Sequence, residues 1–443
     1  MTVSGRFVAL LALGVLPVVL LGAATGTAYA VLGGWLVLCV LLGLLDLLLA
    51  ASPRAVALER TVPARVRLGA EAPTELFVTN TGRRTLRGTV RDAWEPSAAA
   101  EPTRTGVDIP PGERRRLVAS LRPWRRGERR VTNVTVRSWG PLHLWARQAT
   151  LDAPGRIRVL PPFTARKHLP SRLARLQELE GTTSVLLRGQ GTEFDSLREY
   201  VRGDDVRSID WRATARRHDP SGGRGARVMV RTWRPERDRR VIVVIDSGRT
   251  SAARVADEPR IDTAFESALL LAALASRAGD RVDLLAYDRM VRGRVHGATG
   301  PELLSRMVDA MAVIEPALIE MDWSAIPANV SSLTSQRSLV VLLTSIESPG
   351  GSRGLLSVLP QLTAKHLVVV ASVTDPDTLA ATAQRRDRTE VYRAAAAERS
   401  LLDVSRVAAA VRRLGGDVVT GSPADLPPAL ADRYLALKAA GRL

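Results

Sequence analysis

The densest cluster of side chains that could do chemistry lies between residues 189 and 216, where six carboxylates alternate with five arginines. The carboxylates are Glu193, Asp195, Glu199, Asp204, Asp205 and Asp210, and the arginines are Arg198, Arg202, Arg207, Arg212 and Arg216. Aromatic and aliphatic residues separate these charges. Because a guanidinium pairs bidentately with a carboxylate, the segment is predicted to form an ion-paired face. That face either locks onto a neighbouring domain or is presented to a partner protein.

Acid–base catalysis is the alternative chemistry for these carboxylates. Asp204, Asp205 and Asp210 are close enough in sequence to form a carboxylate pair. The neighbouring arginines lower carboxylate pKa values, which favours ion pairs over proton transfer. The five histidines show neither metal-ligand spacing nor a nucleophile motif. We therefore predict no catalytic residue, no enzymatic activity and no small-molecule substrate, with a hydrolase that uses these carboxylates as the alternative.

A second candidate site is the loop at residues 246–251, which directly follows an apolar run. Ligands of a doubly wound sheet bind at the carboxyl ends of its strands. The loop resembles the Asp-x-Ser-x-Ser loop of von Willebrand factor A domains, which helps to hold a divalent cation, usually Mg²⁺. That resemblance implies Asp246, Thr250 and Ser345 as a depleted set of metal ligands, with Gly248 in place of the first serine. We expect no cofactor, with Mg²⁺ as the one candidate; otherwise Asp246 caps its own loop by accepting backbone N–H bonds.

The segment at 189–216 closely resembles the signature of a bacterial family named domain of unknown function 58. The signature starts with Gly-x-Gly-x-Glu-Phe, continues with Arg-Glu-Tyr and ends with Gly-Asp-Asp-x-Arg-x-Ile-Asp-Trp-x-x-x-Ala-Arg, and every fixed position is filled here. The residues that we assign to partner binding on this basis are Glu193, Phe194, Arg198, Glu199, Tyr200, Gly203, Asp204, Asp205, Arg207, Asp210, Trp211 and Arg216.

The family resemblance also implies an architecture and a set of partners. It implies a paired N-terminal span, a β-rich middle and a von Willebrand A-like C-terminal half. Family members resemble partners of MoxR-type AAA+ ATPases and are thought to help assemble, mature or regulate other proteins, often those of the cell envelope. The chain is thus expected to be a non-enzymatic adaptor or scaffold that binds such an ATPase or client proteins.

The elements that must position these residues follow from hydrophobic periodicity. From residue 236 to 443 apolar strands alternate with helices, with strands predicted at 241–245, 281–287, 339–344, 366–372 and 417–420. This alternation is typical of a doubly wound, mostly parallel α/β sheet. Residues 55–160 show short strands at 75–79, 86–90, 116–121, 131–136 and 157–160, which predicts a small all-β sandwich. Residues 161–235 are predicted to hold a linker helix and the charged signature segment.

The first 54 residues predict a transmembrane hairpin. Asp46 is the one charged side chain between Arg6 and Arg54, and the apolar stretch is long enough for spans at 7–21 and 31–51. The flanking arginines place both ends in the cytoplasm by the positive-inside rule, so a cell-membrane protein with cytoplasmic soluble domains is expected. Alternatively, the first span is a signal peptide cleaved near Ala30, which leaves the second as a stop-transfer helix. Asp46 is expected to reach the interface or to pair with a partner helix.

The charge is distributed unevenly. Residues 241–443 contain 23 basic and 23 acidic side chains, so the net charge of +18 lies entirely in residues 1–240. A basic half beside the membrane suits an anionic leaflet, and membrane lipid is a predicted partner. Nucleic acid is the rival partner, but the basic runs contain no groove-reading or base-stacking motif, so we predict none. The only cysteine, Cys39, lies in the second span, which excludes a disulfide framework.

Overall fold

The computed structural model of the chain describes residues 2–22, 26–186, 193–201, 206–216, 228–234 and 239–443. The chain divides into two compact units, Met1–Pro162 and Phe163–Leu443. The division falls close to the end of the predicted sandwich. The predicted linker helix therefore lies within the second unit.

The N-terminal unit begins with a two-residue strand and two apolar helices. Strand β1 covers Thr2–Val3; the first helix is built from α1 (Gly5–Leu13), α2 (Val15–Pro17) and a π-helical turn (Val18–Gly22), and the second is α3 (Ala28–Leu49). Both are long and apolar enough to cross a membrane, and most residues of each are not buried. Each differs from its predicted span by only a few residues. The exposed apolar surface of both helices is compatible with membrane spans.

The rest of this unit is made of two facing antiparallel sheets. Their strands are β2 (Val56–Thr61), β3 (Arg65–Arg67), β4 (Ala72–Asn80), β5 (Leu86–Asp92), β6 (Ala100–Glu101), β7 (Arg104–Ile109), β8 (Arg114–Leu121), β9 (Gly127–Trp139) and β10 (Trp145–Leu160). One sheet has the order β1-β10-β9-β5-β7, with β3 parallel to β10, and the other has the order β2-β4-β8-β6. Leu76 and Val78 of one sheet share a buried cluster with Val134 and Val136 of the other. The predicted sandwich is thus observed, with more strands than its sequence pattern indicated.

The second unit contains a helix, a small two-stranded sheet and a large six-stranded sheet. After a 3₁₀ turn at Thr164–His168 come α4 (Leu169–Leu186), β11 (Glu193–Glu199), α5 (Trp211–Arg216) and β12 (Met229–Arg234). The large sheet uses β13 (Arg240–Asp246), β16 (Arg281–Tyr287), β17 (Val291–Val295), β18 (Leu339–Leu343), β19 (Leu367–Val373) and β20 (Asp417–Gly421), and a two-stranded ribbon is formed by β14 (Arg254–Val255) and β15 (Glu258–Pro259). The order of the large sheet is β17-β16-β13-β18-β19-β20.

All neighbours in the large sheet are parallel except β17, which is an antiparallel edge strand. The helices between the strands are α6 (Arg260–Arg277), α7 (Gly300–Ala312), α8 (Ile326–Leu333), α9 (Arg353–Thr363), α10 (Pro376–Ala381), α11 (Arg388–Arg413) and α12 (Leu426–Ala439). Separate buried clusters lie on the two faces of the sheet. The predicted doubly wound α/β fold is therefore observed. Strand β17 and helix α8 were not predicted.

The linker helix α4 packs on the α/β sheet domain. Its leucines Leu169, Leu173 and Leu179 pack against the core cluster that includes Leu176, which is 3% exposed. Arg172 pairs with Asp432 of α12 at 2.8 Å. The leucine spacing predicted this helix correctly, and its apolar stripe decides where it packs.

Candidate functional site

The signature segment folds around the two-stranded sheet of the second unit. Strand β11 pairs antiparallel with β12, with an irregularity between Phe194 and Ser196. A 3₁₀ turn at Val206–Ser208 and helix α5 then follow, and Ile209 forms an isolated bridge with Val230. The signature segment is thus partly ordered by β12, a strand that lies outside the signature itself.

Asp210 ties the start of α5 to strand β12. Its Oδ1 accepts the Ala213 backbone N–H at 3.0 Å, which caps the helix, and its Oδ2 accepts a bond from Arg231 Nε at 2.8 Å. Its own backbone N–H donates to the Met229 carbonyl at 2.8 Å. The Ala213 N–H bond, followed by the Arg231 bond, lowers the pKa of the Asp210 carboxyl. Asp210 is therefore an ionised structural anchor, as its arginine-rich surroundings predicted, although its partner Arg231 was missed.

Thr214 completes this anchor, and it was not among the predicted site residues either. The Thr214 hydroxyl donates to the Asp210 carbonyl at 2.9 Å and accepts the Met229 N–H at 3.0 Å. The signal for Arg231 was visible, since an arginine interrupts the apolar run from 228 to 230. Thr214 gave no comparable signal, because its partners are backbone groups.

Large apolar side chains of the segment are exposed around this anchor. The exposed fractions are 40% for Leu197, 36% for Tyr200, 62% for Val201, 65% for Val206 and 68% for Trp211. We call these five residues the signature face. Exposed apolar side chains mark an interaction site where they form a contiguous patch, whereas single ones are common on protein surfaces. The described part of the segment therefore presents apolar side chains in addition to the Asp210–Arg231 ion pair.

The other predicted partner-binding residues are placed only in part. Arg207 is exposed on the 3₁₀ turn, and Arg198 Nη1 donates to the Glu199 carbonyl at 3.1 Å. The backbones of Glu193 and Phe194 lie in β11, and that of Arg216 ends α5. Gly203, Asp204 and Asp205 lie outside the described residues.

The second candidate site lies at the point where the strand order of the large sheet reverses. Strand β13 is central, with β16 on one side and β18 on the other. Asp246 ends β13, and Thr344 directly follows β18. In doubly wound sheets this edge is the place where ligands bind.

The Asp246 carboxylate is buried and hydrogen-bonded by its surroundings. It is 3% exposed. Its Oδ1 accepts the Gly248 N–H at 2.8 Å, and its Oδ2 accepts hydroxyl bonds from Thr250 at 3.2 Å and Thr344 at 2.7 Å. Thr250 was predicted beside Asp246, whereas Thr344 had been assigned only to the end of a strand. The Gly248 bond is of the kind that the loop-capping alternative predicted, since a backbone N–H of the loop donates to Asp246.

Ser345 points to a different partner from the one expected. Its hydroxyl accepts a bond from Arg260 Nη1 at 3.0 Å, and the same guanidinium lies 3.7 Å from Glu347. The difference from the expectation is one position along the chain, because Thr344 rather than Ser345 faces the carboxylate. Such a shift turns a side chain to the other side of an extended backbone.

Gly248 stands where the resembled metal loop has a serine, and the reason is steric. A Cβ at this position would lie 2.9 Å from the Ile319 carbonyl oxygen. The loop containing Ile319 is bonded to the Asp246 loop, since Arg249 N–H donates to Ile319 O at 2.8 Å and Ala317 N–H donates to Ser247 O at 2.7 Å. The loop therefore covers the place where the missing serine hydroxyl would reach.

These residues do not fit a Mg²⁺ centre in this arrangement. Mg²⁺ requires near-octahedral oxygen ligands, but Asp246 already accepts three hydrogen bonds. Glu320 and Glu347, which line the pocket beside Asp246, pair with Arg249 and Arg260 respectively. Within the described residues, no group of three or more His, Cys, Asp or Glu is arranged to hold a metal ion.

Burial raises the pKa of the Asp246 carboxyl, although bonds from Thr344, Gly248 and Thr250 oppose the shift. Between the ordinary and the raised pKa the folded state binds more protons, so this group makes stability fall as pH rises. We expect Asp246→Asn to raise the Tm at pH 7.5 by about 2–4 °C, as about 1 kcal/mol would in a domain of this size. The gain should shrink as pH falls toward 3.8, the ordinary pKa of this carboxyl.

Asp288 provides a matched control for this thermal-unfolding series. Burial acts on Asp288 as well, but the Arg292 side chain and the Arg289 and Met290 N–H groups lower its pKa overall. Asp288→Asn should therefore lower the Tm at pH 7.5. A lower Tm for Asp246→Asn as well would show that the Asp246 hydrogen bonds outweigh the cost of burial.

Comparison with protein families bears on the same region. Residues 196–387 match the family model described as "Protein of unknown function DUF58". The predicted family resemblance is confirmed for this region. The DUF58 region contains the Asp210 anchor, the whole signature face and the Asp246 loop.

Two mycobacterial proteins also match part of the chain. Uncharacterised proteins of Mycobacterium tuberculosis and Mycobacterium bovis are 26% identical over 200 residues, which is 45% of this chain and 60% of each relative. The chain thus aligns with less than two thirds of the length of these relatives. Their descriptions state no activity.

Solved structures show weaker likeness. The SpRpn10 VWA domain matches with a TM-score of 0.28 and 9% identity, over 44% of this chain and 94% of that domain. A CARDB domain from Pyrococcus furiosus matches with a TM-score of 0.17 and 18% identity, over 25% of this chain and 94% of that domain. Because these scores are low, the folds of the two units rest on their own strand orders and registers.

Proposed function

We propose that this protein is a membrane-anchored, non-enzymatic adaptor that binds a partner protein through the signature face. The partner is a MoxR-type AAA+ ATPase or one of its client proteins, in the assembly, maturation or regulation of cell-envelope proteins. The observation that supports this proposal is the exposed apolar face around Asp210, within the DUF58 region.

The signature face has the features of a protein-binding hot spot. Trp and Tyr dominate the binding energy of many interfaces, and exposed aliphatic side chains around them exclude water on binding. Trp211 begins α5, whose first turn is fixed by the Asp210 cap. A side chain held on an anchored element loses less conformational freedom when a partner binds. The face is therefore suited to recognition without a large rearrangement.

The same anchor supports an interaction role over catalysis. A general acid at neutral pH needs a raised pKa, whereas the pKa of Asp210 is lowered by the Ala213 N–H and Arg231. Asp204 and Asp205, the other two carboxylates of the hydrolase alternative, lie outside the described residues. The ion pair with Arg231 explains the presence of a carboxylate at position 210 without a catalytic role.

Membrane anchorage is supported by the two apolar helices. Side chains along both helices are exposed, including Leu16 at 57% and Leu41 at 57%. Lipid is the environment in which such a surface is stable. Arg6 and Arg54 flank the pair, and the positive-inside rule then places the soluble parts in the cytoplasm.

The test is binding of the full chain to a MoxR-type ATPase from the same genome, measured with the purified chain in detergent. Trp211→Ala should weaken binding by tenfold or more, since hot-spot truncations cost about 2 kcal/mol or more. Trp124→Ala is the matched control, because Trp124 is a 62% exposed tryptophan of the sandwich. Equal binding by both variants and the native chain would exclude the signature face as the contact.

A further inference from the structure

A turn of the sandwich docks onto the ends of the two apolar helices. Asp46 lies three residues before the end of α3 and is fully buried. Its Oδ1 accepts the Leu142 N–H at 2.7 Å, and its Oδ2 accepts the Leu144 N–H at 2.7 Å and the Trp145 N–H at 3.1 Å. The β9–β10 turn is therefore fixed against α3.

The same turn also contacts the start of the first helix. Ser4 N–H donates to the Leu144 carbonyl at 3.0 Å, and β1 pairs with Trp145 and Ala146. The rings of Phe7 and Trp145 meet edge to face, with centroids 5.4 Å apart. Since one turn touches both helix ends, Arg6 and the end of α3 lie on the same side of the hairpin.

A second turn of the sandwich reaches this position. The Arg84 guanidinium donates to the Leu48 carbonyl, one of the last carbonyls of α3, and such carbonyls lack partners within their helix. Thr81 N–H also donates to the Ala55 carbonyl at 3.0 Å, just beyond the helix. The turn between β4 and β5 therefore lies at the level where α3 leaves the apolar region.

We define the collar as the four segments that meet there, residues 2–8, 46–56, 80–86 and 137–147. Its charged residues are Arg6, Asp46, Arg54, Arg83, Arg84, Arg137 and Arg147. The single carboxylate is buried by the bonds described above, whereas Arg6, Arg54, Arg83 and Arg84 are exposed. The collar thus presents almost purely positive charge at the helix ends.

Aromatic residues accompany these arginines. The rings of Trp139 and His143 stack with centroids 6.2 Å apart, and the Arg137 guanidinium lies 5.9 Å from the centre of the Trp139 ring. Tryptophans at the ends of apolar spans favour the headgroup layer of a bilayer. Positive charge and aromatic rings are therefore combined at the depth where lipid phosphates lie.

We propose that the collar binds the headgroups of anionic phospholipids and holds the sandwich on the leaflet surface. This inference rests on the proposed membrane anchorage. Anionic lipid is the occupant because the arginines adjoin the ends of the helices, within the short range over which a charged leaflet attracts them. Four exposed guanidiniums match phosphate geometry, which suits bidentate hydrogen bonds.

The test uses the full chain in vesicles of phosphatidylcholine and phosphatidylglycerol, with either lipid brominated. Bromine quenches tryptophan fluorescence by contact, so the ratio of quenching gives the preference for the anionic lipid. We expect the native chain to prefer phosphatidylglycerol by about fivefold, as one or more arginine–headgroup contacts would give. Arg83→Gln with Arg84→Gln should reduce this preference at least threefold, and 1 M NaCl should reduce it in the native chain.

A matched control changes the same charge elsewhere on the same unit. The control is Arg156→Gln with Arg158→Gln. These arginines lie toward the far end of β10, eleven or more residues from Trp145, which corresponds to about 35 Å along the strand. This variant should keep the native preference. Arg83→Gln alone leaves the Arg84 bond to Leu48 in place. A reduced preference for phosphatidylglycerol in that variant would therefore come from lost lipid binding and not from lost helix capping.

The outcomes separate lipid recognition from anchorage. Quenching by both lipids without preference in the native chain would overturn the collar proposal and leave anchorage intact. An equal loss in the control variant would also overturn it. No quenching by either lipid would overturn anchorage, and the collar proposal with it. Displacement of the preference by 10 mM inorganic phosphate would show a site for free phosphate instead of a lipid surface.

Discussion

Asp46→Leu is expected to destabilise the N-terminal unit by about 2–5 kcal/mol. The N–H groups of Leu142, Leu144 and Trp145 would lose their acceptor; the Leu144 bond is buried and the other two are partly buried. Each unsatisfied buried group costs about 1–3 kcal/mol. Removing a buried carboxylate offsets part of this loss of stability, because the charge no longer needs to be desolvated. The net effect should loosen the β9–β10 turn from the helix ends.

Hydrogen exchange of the full chain in detergent measures this effect at the turn itself. The amides of Leu142, Leu144 and Trp145 should exchange tenfold faster for each 1.4 kcal/mol of lost protection. Asp46→Asn keeps one acceptor oxygen and should lie between the native chain and Asp46→Leu. Unchanged exchange in Asp46→Leu would show that apolar packing around Cys39 and Leu144 holds the turn without the carboxylate.

Gly140→Ala tests the same contact from the other partner. A Cβ on Gly140 would lie 2.2 Å from Asp46 Oδ1 and 2.1 Å from the Asp46 carbonyl oxygen. The turn would have to move away from α3 while Asp46 stays in place. The same amides should therefore lose protection although no acceptor has been removed.

Asp46 also shows what kind of contact a sequence does not reveal. Its position in an apolar span predicted a carboxylate that reaches the interface or pairs with another helix. The carboxylate pairs with backbone N–H groups nearly one hundred residues away in the chain, and not with another helix. Any residue type supplies such a donor, so the donor residues themselves cannot be recognised in the turn sequence. Gly140, which has no Cβ to collide with Asp46, was the one local signal.

Regular elements were predictable where periodicity is strong. The continuous apolar runs of β13 and β18 and the alternation of strands with helices indicate a buried parallel sheet. Strand β17 was missed because Val291–Val295 is mostly exposed and alternates valine with arginine and glycine. Strand β11 was missed because its sequence is rich in charged residues and lacks a β-branched run. Pairing with β12 decides its structure, and that is a tertiary effect.

The candidate sites were predictable only in their centres. Asp246 could be placed because it ends an apolar strand, and Asp210 because arginines surround it. Their hydrogen-bond partners Thr344, Arg231 and Thr214 come from neighbouring strands and helices, so a linear motif does not identify them. The sequence did not reveal the exposure of Trp211 either, since tryptophan is highly buried on average.

Substitution of a second buried carboxylate, Glu266, should destabilise the second unit to a comparable extent. Glu266 lies in α6 and is 4% exposed. Its Oε1 accepts the Thr164 N–H at 2.8 Å and the Thr164 hydroxyl at 3.0 Å, and its Oε2 accepts the Ala165 N–H at 2.7 Å. It therefore satisfies the first N–H groups of the 3₁₀ turn that leads into α4, where a negative charge is most favourable.

Glu266→Leu is expected to lower the free energy of unfolding of this unit by about 3 kcal/mol, because the buried Ala165 N–H and the partly buried N–H and hydroxyl of Thr164 lose their acceptor. Denaturant unfolding of the full chain, followed by exchange at Thr164 and Ala165, measures it. Glu302→Leu is the matched control: this glutamate forms an exposed pair with Arg306 on α7, and such pairs contribute under about 1 kcal/mol.

The residues that lose hydrogen-exchange protection in the Glu266→Leu variant show whether Glu266 stabilises only the 3₁₀ turn or the whole of α4. Helix α4 is also held by Leu176 in the core and by the Arg172–Asp432 pair. If these contacts suffice, exchange should rise at Thr164 and Ala165 while α4 stays protected. If Glu266 fixes the entry of the whole helix, protection should fall along α4 as well. Equal stability of the Glu266→Leu, Glu302→Leu and native chains would contradict both, and would show that packing alone orders the segment before the signature face.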